Sequence, residues 1–217
     1  MTKATLYLGN KNYSSWSLRG WLAAMMSGID FDEVVIPLGE PETSETIRKY
    51  SPSGRVPVLH HDGLVVWDSL AIGEYLAGAV GRQLWPDEPQ ARAVARAVAA
   101  EMHSGFAALR GELPMNVRRR YTEHQISAEA QADINRVTSI WRDCRTRFGE
   151  DGPFLFGQLS LADAMFAPVV SRFRTYAVDL EGSAAEYAAA ILDLPEMKSW
   201  SQDARNEPMV QSRYEFD

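Results

Sequence analysis

The chain has 217 residues and a mass of 24.2 kDa, with a net charge of −7, 46% hydrophobic and 24% charged residues. That balance excludes a disordered or fibrous chain, suffices for one large or two small domains with a full core, and disfavours general nucleic-acid binding. The single cysteine, Cys144, excludes an internal disulfide framework and a Cys-rich zinc site; no apolar run approaches the roughly 20 residues that span a bilayer, and residues 1–20 lack a signal-peptide core, so a cytoplasmic location is expected.

Residues 4–8 (Ala-Thr-Leu-Tyr-Leu) predict a strand bounded by Gly9-Asn10. A helix is expected from Ser15 to Met26, with Ser14 or Ser15 at its N-cap and Gly28 just past its end. Phe31 to Leu38 reads as a second strand, and Thr43 to Tyr50 as a short helix stopped by Ser51-Pro52. Val56–Leu59 and Leu64–Trp67 are two further strands joined by His60-His61-Asp62-Gly63, where Asp-Gly between apolar runs signals a hairpin. Asp68-Ser69 caps a helix to about Ala77. The order β-α-β-α-β-β-α gives a small mixed sheet covered by helices.

From Gly81 to Pro89 the composition changes to a linker, and no comparable strand pattern follows it. Residues 90–112 place Ala91, Val94, Ala95, Val98, Met102, Phe106 and Leu109 on one face of a long helix. A second, about 127–148, carries Ala130, Ile134, Val137, Trp141, Cys144 and Phe148 at spacings of 4, 3, 4, 3 and 4. Between them lies a polar connection with Arg118-Arg119-Arg120, read as a solvated loop. Ser160-Leu161-Ala162-Asp163 is a capping box opening a third helix, which Pro168 is expected to bend or end. Ser183–Leu192 and Pro195–Arg205 are two more helices, and 206–217 an irregular tail.

Four of these features, in this order and spacing, resemble the cytosolic glutathione S-transferases, above all the zeta class and its bacterial relatives. They are Ser14-Ser15-Trp16-Ser17-Leu18-Arg19, Arg55-Val56-Pro57-Val58-Leu59, Asp68-Ser69-Leu70-Ala71-Ile72-Gly73-Glu74-Tyr75-Leu76, and Ser160-x-x-Asp163. The resemblance implies an α/β thioredoxin-like domain over 1–80, a linker over 81–89 and an all-α domain over 90–217. It also implies glutathione as co-substrate, no metal, a homodimer, no nucleic-acid or membrane partner, and a detoxifying conjugation, addition–elimination or isomerisation. The alternatives are a non-catalytic glutathione-binding module, and a glutathione-dependent peroxidase or maleylacetoacetate-type isomerase.

The chemistry such an enzyme must perform is to ionise a thiol. A thiol of pKa near 8.5 is only about 3% ionised at pH 7; lowering that pKa by roughly 2 units, or about 2.7 kcal/mol, raises the anion to about three quarters. A hydroxyl donor at a helix N-terminus is sufficient: the helix end supplies up to about 2 kcal/mol and a hydrogen bond to a charged group about 1.5–3. By resemblance the donor is Ser14, with Ser15 contributing its hydroxyl or N–H; both serines could instead only cap the helix. Tyr7, Tyr13 and Ser17 are rival donors.

The resemblance further implies a cis bond at Pro57, with the Val56 backbone pairing the cysteinyl part of glutathione. Asp68 and Ser69, at a helix start, would take the γ-glutamyl ammonium and carboxylate, and Arg55 the glycine carboxylate or merely solvent. His60 and His61 are adjacent in an extended run, so they point to opposite faces and do not form a metal pair. Trp16, Met102, His103, Phe106 and Arg110, with Met115, are candidates for the electrophile site between the halves, or for core. The zeta class binds its dicarboxylate substrate with an arginine whose aligned position here is Thr175, with Arg172 and Arg174 nearby. Trp16 replaces the zeta cysteine, which disfavours a mixed-disulfide mechanism.

Overall fold

A computed structural model describes residues 3–216. Four strands, β1 (Ala4–Gly9), β2 (Phe31–Ile36), β3 (Val58–His61) and β4 (Leu64–Val66), form one sheet in the order β2-β1-β3-β4. β1 and β2 run parallel, joined through α1 (Ser15–Ser27); β3 is antiparallel to both β1 and β4. The period-2 pattern of β1 turns Ala4, Leu6 and Leu8 into the core, where Leu18 and Leu22 of α1 meet them, all completely buried. The short α2 (Thr43–Arg48) follows β2, and α3 (Ser69–Ala79) packs against α1. Six helices follow: α4 (Pro89–Ser104), α5 (Ala107–Glu112), α6 (Ala128–Phe148), α7 (Leu161–Thr175), α8 (Gly182–Asp193) and α9 (Pro195–Asn206).

At the centre is α7, in which every residue from Leu161 to Phe173 is buried, the mark of a helix enclosed on all sides. It packs on α1, α4 and α8, and its start is fixed by the expected capping box, in which Asp163 Oδ2 accepts from the Ser160 amide at 2.8 Å and the Ser160 hydroxyl at 2.9 Å. Asp163 Oδ1 also accepts from the Leu155 amide at 3.1 Å. Burial, partly offset by these donors, pushes the Asp163 carboxyl up to about 6.

Several expectations are corrected. Pro168 does not end the helix; α7 continues through it to Thr175, because packing on every side outweighs a proline cost of about 3 kcal/mol. The 90–112 segment is two helices, broken at Gly105-Phe106. Phe106 adopts φ 59°, and a Cβ at Gly105 would lie 2.8 Å from the Glu101 carbonyl oxygen, so the helix breaks where glycine is needed. Glu88 caps α4 and Pro89 is its first residue rather than linker. The third strand begins at Val58, so Pro57 stands outside the ladder; it takes in both histidines, leaving Asp62 and Gly63, at φ 49° and 77°, as the hairpin turn. Arg118 is no solvated side chain. It donates to the carbonyls of Glu207 at 2.8 Å and Met209 at 2.7 Å and to the Tyr13 hydroxyl at 3.0 Å, fastening the C-terminal segment back onto the N-terminal half. That tail holds a short 3₁₀ turn, Ser212–Tyr214.

Candidate functional site

The N-terminus of α1 meets the helical half at Trp16, which lines two cavities. The first, of about 460 Å³, is lined by Trp16, Ser53, Arg55, Val56, Pro57, Trp67, Asp68, Ser69 and His103. The second, of about 310 Å³, lies between α1, α5, α7 and the tail, and includes Ser14, Ser15, Trp16, Arg110, Met115, Arg172 and Arg213.

In the first cavity the Val56–Pro57 bond is cis, as expected. Asp68 Oδ1 caps α3, accepting from the amides of Leu70 at 3.0 Å and Ala71 at 3.2 Å, and Oδ2 lies 2.9 Å from His103 Nε2. Among the described residues the buried Ser69 hydroxyl and His103 Nδ1 have no hydrogen-bond partner. Leaving a buried hydroxyl unmade costs about 1–3 kcal/mol, so an orphan at a helix N-terminus marks a place where a ligand's oxygen would be welcome. Carboxylate, helix-end donors and free hydroxyl together suit a zwitterionic amino-acid end.

The two serines are held differently. Ser14 is the N-cap of α1: its Oγ accepts from the Ser17 amide at 3.3 Å and its hydroxyl donates to Ser17 Oγ at 2.7 Å. Ser17 Oγ in turn accepts from the Gly9 amide at 2.9 Å, which commits the Ser14 proton to the strand–helix junction, while Ser17 itself is fully buried and lines neither cavity. Ser15, the first residue of the helix, accepts from Arg172 Nη2 at 3.0 Å, and among the described residues its own proton has no acceptor. Of the other rivals, Tyr7 stacks on Tyr50 with ring centroids 4.2 Å apart and lines neither cavity. Tyr13 does line the second cavity, but its hydroxyl donates to Glu215 at 2.6 Å.

The second cavity is strongly cationic. Arg19 and Arg110 lie over the Trp16 ring at 4.5 and 5.4 Å from its centre. Arg19 is only 2% exposed, its Nε and Nη1 have no hydrogen-bond partner among the described residues, and burial, then Arg172 and Arg110, push it down to about 9. Burial likewise pushes Arg172 down to about 10. Both remain cations at neutral pH.

Sequence reasoning therefore gathers Arg55, Val56, Pro57, Asp68, Ser69 and His103 in one cavity, Ser14, Ser15 and Arg110 in the other, and Trp16 in both. Met102 and Phe106 are corrected: both are buried in the core and line neither cavity. Thr175 is buried too, donating to the Ser171 and Asn116 carbonyls. Missed were Ser53 and Trp67, which flank recognised motifs, and the tail residues Gln211, Arg213 and Tyr214, which carry no local signal. Burial pushes the Cys144 thiol up to about 12, which makes it inert. Among the described residues no group of three or more His, Cys, Asp or Glu is placed to hold a metal, and no helix is long and apolar enough to cross a membrane.

Comparison with known proteins settles the family. The profile described as glutathione S-transferase, N-terminal domain, matches residues 13–79, and its C-terminal counterpart matches 91–203. The chain belongs to the glutathione S-transferase family. It is 29% identical over 184 residues to maleylacetoacetate isomerase of Rattus norvegicus, with 82% of each chain covered, and 29% identical over 194 residues to glutathione S-transferase F14 of Arabidopsis thaliana, covering 83% of this chain and 72% of that one. Among solved structures, a Burkholderia glutathione transferase homologue with bound glutathione superposes with a TM-score of 0.72 at 22% identity, covering 95% of this chain and all of that one. A diazinon-metabolizing glutathione S-transferase of Bombyx mori gives 0.74 at 16%, covering 94% of this chain and 98% of that one. At those identities the likeness is one of fold: a thioredoxin-like sheet domain followed by a helical domain.

Proposed function

We propose that this glutathione S-transferase is of the serine type and that Ser15, rather than Ser14, donates to the glutathione sulfur. The observation that carries this reading is the division of labour at the start of α1: the Ser14 hydroxyl is spent on Ser17, while the Ser15 hydroxyl has its acceptor side filled by Arg172 and a proton to give. Glutathione occupies the first cavity. Its γ-glutamyl ammonium replaces His103 on Asp68, its γ-glutamyl carboxylate takes the Ser69 hydroxyl and the α3 N-terminus, and its cysteinyl part lies along Val56. Arg55, exposed at the rim, reaches its glycine carboxylate. The sulfur then reaches the wall shared at Trp16, where α1's positive end and the Ser15 O–H hold it as thiolate for attack on an electrophile in the second cavity. Ser15→Ala should raise the pH at which bound thiolate absorbance appears and lower kcat/KM by about 10- to 100-fold, the loss of one hydrogen bond to a charged group. An unchanged titration overturns the role.

A second reading concerns the electrophile. Arg110 and Arg213 line a cavity with no carboxylate among its described lining residues, which suits an acidic acceptor and the isomerase-type reaction named for the rat relative. We further propose a cytoplasmic homodimer, the arrangement typical of the family, with the exposed Leu64, Val65 and Trp67 on and beside β4 as its apolar edge; sedimentation at micromolar concentration tests it, a monomer counting against.

A further inference from the structure

We infer that Arg172 is a positioning residue for thiol ionisation, acting through Ser15; the inference rests on the serine reading above. Arg172 comes from the middle of the helical domain, 157 residues along the chain from Ser15, and is 5% exposed. Its Nη1 is anchored on the carbonyls of Leu113 and Arg110, at the end of α5, which leaves Nη2 aimed at Ser15 Oγ. A guanidinium is planar, and two fixed carbonyls set the plane of the fork, so the third contact is not free to wander. With that donor on its oxygen, the Ser15 hydroxyl can accept no better partner from that side, and its proton is left to the cavity.

The same cation stands directly behind the hydroxyl, and little cancels it. The charged or titratable groups facing this wall are Arg110 from α5, Arg213 and Tyr214 from the tail, and Tyr13, with Arg19 against the Trp16 ring and Tyr176, at the end of α7, acting on Arg172. The carboxylates of Asp68 and Glu215 are engaged elsewhere: Asp68 with the α3 cap and His103, and Glu215 with Tyr13, Asn116 and Arg119. A buried positive charge without a counter-ion is costly until an anion arrives. The thiolate made at Ser15 is such an anion, so Arg172 favours the ionised sulfur both by orienting the donor and by its charge.

The test is the pH midpoint of thiolate absorbance of bound glutathione in the wild type, Arg172→Gln, Arg172→Lys, Ser15→Ala and the Ser15→Ala/Arg172→Lys double variant, together with kcat and KM for glutathione. Removing an opposite charge at this distance shifts a pKa by about 1–3 units, so Arg172→Gln should raise the midpoint by at least about one. Arg172→Lys keeps the charge but cannot reach two carbonyls and a hydroxyl at once; it should raise the midpoint by less, lower kcat, and leave KM for glutathione within about twofold of wild type. If Arg172→Gln does not fold, Arg172→Lys carries the test alone. The Arg172→Lys shift should shrink or vanish in the Ser15→Ala background. A shift in Ser15→Ala with none in the Arg172 variants overturns this inference and leaves the serine reading standing. No shift in Ser15→Ala overturns both. An equal Arg172→Lys shift with and without Ser15 shows that the arginine does not act through the serine, and also overturns the inference.

Discussion

The cavity beside Val56 and Asp68 and the cavity beside Ser15 share one side chain, Trp16, yet they are built in opposite ways. The first draws almost all its wall from residues 53–69: a loop, a cis-proline turn and the start of α3, with His103 the contribution from the helical half. Its polar groups are the Asp68 carboxylate, the Arg55 guanidinium, the His103 ring, backbone donors and the Ser69 hydroxyl, so one formal charge of each sign faces it. The second is assembled from residues between 13 and 214, with three arginines and, among the described residues, no carboxylate in its wall. A local, near-neutral cavity suits one fixed zwitterion. A cationic cavity made from several distant elements can change its preferred partner whenever one of those elements changes.

The largest expected effect comes from disturbing the element that carries Arg172. Replacing Asp163 by Ala leaves the amides of Leu155 and Ser160 without their acceptor in the core, at about 1–3 kcal/mol each. A loss of roughly 3–5 kcal/mol is expected in urea unfolding, with the second cavity failing before the first. The pH dependence has a defined sign. Because the folded carboxyl titrates near 6 and its unfolded form near 3.8, the Asp163 contribution is greatest below about pH 4 and is lost as pH rises through 6. The stability advantage of wild type over Asp163→Asn should therefore shrink by about 3 kcal/mol between those limits. An advantage that grows with pH would show that the carboxyl is not raised.

Next is Asp68→Asn, which keeps a good helix cap but removes the charge that would meet an ammonium. KM for glutathione should rise about 10- to 100-fold, with KM for the electrophile unchanged. Equal changes in both constants would mean that the two cavities act as one site. Arg110→Met should do the reverse at smaller scale, raising KM about tenfold for a carboxylate-bearing electrophile and leaving neutral electrophiles and glutathione alone, since a half-buried cation is partly screened.

The contrast between the cavities also explains what could be read from the residues in order. Strand β1, helix α1 with its Gly28 stop, the Asp62-Gly63 turn, the Ser160–Asp163 box and the periodic face of α6 are all local patterns, and the structure has them. So is nearly every wall of the first cavity. The failures are tertiary. The 3.6-residue pattern of 90–112 runs unbroken through Gly105, so it hides a helix break at which Phe106 reaches the core with positive φ. Pro168 signals a break that complete burial of α7 overrides. Nothing near Arg172 or Tyr214 in the chain announces that they border Ser15, because the contacts that bring them there span the whole sequence. The preference for Ser14 over Ser15 is the finest of these failures, because neighbouring serines look alike until their partners are known.

The smallest predicted effect separates those two serines. In Ser14→Ala the Ser17 amide and hydroxyl lose their partner at the start of α1, a capping loss of about 1 kcal/mol that thermal or urea unfolding would register. The bound thiolate should titrate as in wild type, because the Ser14 hydroxyl already serves the strand–helix junction through Ser17 and the Gly9 amide. Ser15→Ala should show the opposite pair of results: little change in unfolding, since Arg172 keeps its two carbonyl acceptors, and a raised thiolate midpoint. If Ser14→Ala moves the midpoint and Ser15→Ala does not, the hydroxyl facing Ser17 must turn outward when glutathione binds, and Arg172 then orients a residue that catalysis does not use.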